Sequence, residues 1–94
     1  MAKTVVVQAD ESECFYVANG QCISTLNELQ GALEVMDDPT FHHHVNEQRN
    51  DFSNWAGGVL KDEDLSGKLL GAKDRKSAQI VVLKRIIALL KEIA

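Results

Sequence analysis

The hydrophobic and polar positions change rhythm along the chain, and each change marks an element. Thr4–Gln8 is a short β-branched run with the composition of an edge strand. The acidic Ala9–Glu13 stretch follows as a loop. Phe15-Tyr16-Val17-Ala18 and Gln21-Cys22-Ile23 then flank Asn19-Gly20, which predicts a hairpin over 13–18 and 21–24 closed by a two-residue type I′ turn. In that register Val17 faces Cys22 and Tyr16 faces Ile23. From Leu26 the period lengthens: Leu26, Leu29, Leu33 and Met36 recur on one face of a helix near 25–36. Thr25 and Glu28 form its capping box.

Asp37-Asp38-Pro39 ends that helix and opens the next, with Asp38 as N-cap and Pro39 in the first helical position. Over 39–48, Phe41, His44 and Val45 share the buried side, and His42 and His43 look outward. Asn50 or Asp51 can cap a third helix that presents Phe52, Trp55, Ala56 and Val59 on one face. Gly57-Gly58 costs about 1 kcal/mol per glycine inside a helix, so the pair marks a fraying end or a close helix–helix approach. Asp62-Glu63-Asp64 loads the start of a short helix with negative charge, Leu65, Leu69 and Leu70 give it an apolar face, and Gly71 ends it.

The last helix spans 74–94. Ile80, Val82, Leu83, Ile86, Ile87, Leu89, Leu90, Ile93 and Ala94 fill roughly half of its circumference, where a stripe of about 100° suffices to dock a helix on one core. Two packing partners are therefore expected, the domain's own core and a second copy of the chain, the latter along Ile80, Leu83, Ile87 and Leu90. Lys73, Lys76, Lys84 and Lys91 form a rim beside the arc.

These elements predict one α+β domain over 1–94: a two- or three-stranded hairpin region (1–24), short helices over 25–71, and the long C-terminal helix from 74. Its 94 residues hold one modest core, which self-association would supplement. No apolar run reaches the 18 residues of a membrane span, no signal peptide is visible, and a cytoplasmic protein is the default expectation. Charge is uneven. Residues 1–64 carry twelve acids and three bases; residues 65–94 carry seven bases and two acids. The basic segment, with Lys73, Arg75, Lys76, Lys84, Arg85 and Lys91, makes nucleic-acid binding one alternative, opposed by an overall charge of −4. Cys14 and Cys22 are too few for a disulfide scaffold. In the type I′ register they fall on opposite faces of the hairpin, so both are expected to be reduced packing residues.

Candidate chemistry concentrates in 41–55, which holds all three histidines and the one tryptophan. His44, with Asp51 as its best-placed partner, could bind a small ligand or move a proton beside Trp55; the plainer reading is that these residues bridge, cap and pack. Successive histidines fan about 100° apart on a helix, a poor zinc set, and no cysteine lies nearby. No nucleophile elbow, phosphate loop or dinucleotide fingerprint occurs, so neither metal nor cofactor nor catalytic residue is expected.

The string Phe15-Tyr16, Asn19-Gly20, Leu26-x-x-Leu29, Phe41-x-x-His44-Val45-Asn46-Glu47, Asn50-Asp51-Phe52-x-x-Trp55, Asp62-x-Asp64-Leu65 resembles a small, largely archaeal family of prokaryotic domains of unknown function. The likeness covers roughly 14–70. The family usually places a valine and a charged residue after the tryptophan, where this chain has Ala56-Gly57-Gly58. The resemblance implies no reaction, and it singles out His44, Asn50, Asp51 and Trp55. The expected function is thus a non-catalytic interaction or regulatory domain that self-associates through its C-terminal helix. Nucleic-acid binding and a ligand site at His44, Asp51 and Trp55 are the alternatives.

Overall fold

The computed structural model of the chain describes residues 13–18 and 20–93. Two short strands, β1 (Phe15–Tyr16) and β2 (Cys22–Ile23), are followed by five helices: α1 (Leu26–Val35), α2 (Asp38–His44), α3 (Asp51–Gly58), α4 (Glu63–Leu70) and α5 (Arg75–Ile93). This is the α+β architecture the patterning predicts. The edge strand expected at 4–8 lies outside the described residues. No described helix is long and apolar enough to cross a membrane.

The hairpin departs from expectation by one residue. Gly20 N–H donates to the Val17 carbonyl and Val17 N–H to the Gln21 carbonyl, so the loop holds three residues rather than two. Gly20 takes the positive φ of 96° that such a loop needs. Phe15 therefore pairs with Ile23 and Tyr16 with Cys22. A one-residue slip turns every side chain to the other face. Phe15, Val17 and Ile23 become the core face, while Cys14 and Cys22 share the outer one. With Cα atoms 5.9 Å apart they form a disulfide, and the expectation of two separated, reduced cysteines is corrected.

The helix starts follow the polar signals. Thr25 and Glu28 make both bonds of the capping box on α1. Asp37, one residue earlier than expected, caps α2 by accepting from Thr40 N–H at 2.8 Å, leaving Pro39 inside the first turn. Asn50 caps α3 and Asp62 caps α4. Asp74 accepts from Ser77 N–H at the start of α5. Helix α2 stops at His44 rather than 48, because Asn46 folds back on the Gln48 and Arg49 amides and Val45 bridges to Asn50.

Helix α1 packs on α5, α3 on α4, and α4 on α5. The central core is aromatic. Phe15 and Phe41 stack on the two sides of Phe52, at ring distances of 4.9 and 5.8 Å, and Trp55 meets Phe15 edge-on. Leu26, Leu29, Leu33, Leu65, Leu69 and Val82 complete it. Leu70, expected on the apolar face of α4, points to solvent instead, since Leu65 and Leu69 already fill that face.

Candidate functional site

The turn between α2 and α3 brings His44 and Asp51 together. Nδ1 of His44 lies 2.9 Å from Oδ2 of Asp51, and Nε2 accepts the Ala18 amide at 3.0 Å. An imidazole nitrogen that accepts an N–H carries no proton, so the hydrogen sits on Nδ1 and is donated to the carboxylate. His44 is buried beside Phe15 and Phe52. It thereby ties α2 to the start of α3 and to the hairpin loop, and both of its nitrogens are engaged.

The other residues of the motif turn elsewhere. Asn50 accepts from Ser53 N–H through Oδ1 and donates through Nδ2 to the Leu69 carbonyl, linking α3 to the end of α4. Trp55 donates its indole N–H to the Glu13 carbonyl at 2.9 Å and holds the segment that enters β1. Arg49 lies 3.6 Å from Asp51 and donates to the His43 carbonyl. His42 and His43 are exposed. Among the described residues, hollows of about 230 and 250 Å³ open on other surfaces and one of about 220 Å³ opens beside His42, Val45, Asn46 and Glu47, but neither His44 nor Trp55 lines any of them. Small-molecule pockets run from about 300 Å³ upward. Among the described residues no group of three or more histidine, cysteine, aspartate or glutamate side chains is placed to hold a metal.

The basic segment divides. Arg75 reaches from α5 to the far end of α1 and donates to the Leu33 and Glu34 carbonyls at 2.7 and 2.9 Å. Helix α1 has no basic residue in its own last turn, and this guanidinium supplies the positive charge that helix ends attract. Arg85 donates through Nε to Asp62 at 2.7 Å, and the Asp62 carboxylate raises its already high pKa further. Asp62 is buried, caps α4 with its other oxygen, and so joins α4 to α5. Sequence reading missed this pair because 23 residues separate its members. Lys73, Lys76, Lys84 and Lys91 remain exposed.

On α5, Ala78 and Val82 are buried, and Val81, Ile86 and Leu89 pack partly against the core. The opposite side keeps Ile80 (51%), Leu83 (37%), Ile87 (51%) and Leu90 (46%) exposed. These are the four residues expected to form the self-association face, in a continuous 3-4-3 stripe. Lys84 and Lys91 stand along one edge of it. Compared with known protein families, curated proteins and solved structures, the chain matches none.

Proposed function

We propose that this domain is a non-catalytic interaction or regulatory module that self-associates through α5. The exposed Ile80, Leu83, Ile87 and Leu90 stripe carries the reading. Four large aliphatic side chains at seam spacing on one helix form a surface that water disfavours and a like helix fits. Isoleucine and leucine alternate along it, so a second copy offers a matching set of knobs and holes. No polar group of the stripe would be stranded on pairing, because the flanking lysines can extend their ammonium groups past the rim.

The same reading accounts for the residues of the 41–55 segment. Phe41, His44, Asn50, Asp51, Phe52 and Trp55 are all engaged in capping, bridging or aromatic packing. In this proposal the motif specifies the fold, and the function lies on the surface. A nucleic-acid interface loses two of its six cations to contacts inside the domain, Arg75 and Arg85. A ligand at His44 would have to displace the Ala18 amide.

Size-exclusion chromatography with light scattering tests the proposal. The full chain is expected to elute as a dimer, and L83K/L90K as a folded monomer with an unchanged far-UV spectrum. A wild-type chain that stays monomeric at high micromolar concentration would overturn it.

A further inference from the structure

We infer that the Cys14–Cys22 disulfide is a redox latch. Its reduction by a dithiol releases the hairpin from His44 and Trp55 while the helical body stays folded. The inference is independent of α5 and rests on three features of the N-terminal part of the domain.

The first is how little backbone pairing the hairpin has. Each strand is two residues long, and hairpins of this kind are marginal in water unless something else holds them. On the inner face that something is Phe15, Val17 and Ile23; on the outer face it is the disulfide.

The second is access. Cys22 lies in an exposed position on the outer face, whereas Cys14 is buried. A dithiol can reach the latch from solvent. One of its thiolates attacks the Cys22 sulfur, and the S–S bond breaks. Cys14 departs as a thiolate and takes up a proton. The second thiol of the reductant then attacks the mixed disulfide and releases Cys22, leaving the reductant as a cyclic disulfide. Two electrons pass to the protein, and two protein thiols result.

The third is what the hairpin holds. Its loop places the Ala18 amide on Nε2 of His44, and the residue just before Cys14 receives the Trp55 indole N–H. Freeing the hairpin therefore uncaps an imidazole that Asp51 still orients through Nδ1. The α1–α5, α3–α4 and α4–α5 contacts are made without the hairpin and are expected to hold the helical body together when Phe15, Val17 and Ile23 leave the core cluster. The oxidised domain keeps its imidazole closed; the reduced domain presents it.

Amide hydrogen exchange by NMR on the full chain, before and after treatment with dithiothreitol, tests this. Removing the constraint on so short a loop is expected to speed exchange of the Ala18 amide and the Trp55 indole N–H on the order of 10²-fold. The Leu69 and Val82 amides should change by no more than about twofold, as a local opening requires. C14S/C22S, measured without reductant, should reproduce the reduced pattern; if that variant does not fold, the reduced wild type gives the reading alone. Unchanged protection at Ala18 and Trp55 would overturn the inference. So would a uniform loss at all four sites, or cysteines that stay reduced in oxidised dithiothreitol.

Discussion

His44 shows how a residue with catalytic credentials can be occupied by structure. A histidine oriented by a carboxylate is a common proton-transfer arrangement, but there the second nitrogen faces a substrate. Here it faces the Ala18 amide inside an aromatic cluster. Replacing His44 with alanine opens a void beside Phe15 and Phe52 and leaves that amide without its partner. The expected loss is about 2–4 kcal/mol in urea or thermal unfolding. Asn or Gln cannot both reach Asp51 and accept from Ala18, so neither should restore the loss in full. Two-bond ¹⁵N–¹H spectra should show the hydrogen on Nδ1; a dominant Nε2–H form would contradict the geometry. The sequence makes His44 and Asp51 legible as partners because both flank one helix break. It gives no hint of the third member, Ala18, which lies 26 positions earlier and contributes only backbone.

Among the elements, the two adjacent glycines have separate reasons to be there. A Cβ on Gly57 would lie 3.0 Å from Oγ and 3.2 Å from Cβ of Ser66, on the facing helix α4. Ser66 cannot simply swing away, because its hydroxyl donates to the Ser53 carbonyl while Ser53 donates to the Ser66 carbonyl. Gly57→Ala should therefore destabilise the α3–α4 pair by about 1–2 kcal/mol, overcoming the gain in helix propensity. Gly58 meets nothing, and Gly58→Ala should stabilise by about 0.5–1 kcal/mol. Chemical denaturation of the two variants separates the roles, and equal effects would show that the close approach is not what Gly57 serves.

The helix starts carry a pH signature. Hydrogen bonds from the Ser24 and Thr25 amides and hydroxyls lower the pKa of Glu28. Thr40 does the same for Asp37, and Ser77 for Asp74. A carboxylate with a depressed folded-state pKa stabilises above its unfolded value and loses that contribution as pH falls through the folded one. Thermal stability should accordingly decline as pH drops below about 4, the unfolded carboxylate range. D37N and D74N keep the capping acceptor without the titration and should flatten that slope. The cap signals are visible in the sequence because they act over three or four residues. The hairpin register is not: two-residue and three-residue loops with Gly20 at positive φ share the same letters. Only the burial of Phe15, Val17 and Ile23 together decides between them.

For the molecule as a whole, the interface area sets how tightly the proposed pairs can hold. Helix α5 has 19 residues and is about 28 Å long. The exposed stripe runs along only part of that length, so the surface it can bury falls below the roughly 800 Å² per partner of a standard stable interface. The proposed dimer is therefore expected to be reversible rather than obligate, with dissociation on the order of micromolar. Association that favours the folded state adds to stability by mass action. The midpoint of thermal unfolding should therefore rise as the chain is concentrated from roughly 1 µM to 1 mM, by a few degrees for each kcal/mol gained. In L83K/L90K the midpoint should be independent of concentration. It should also fall only slightly below that of the dilute wild type, because both positions are partly exposed in the monomer. A variant much less stable than the dilute wild type would mean that Leu83 and Leu90 serve the fold of their own chain, and the stripe would lose its claim to be an interface.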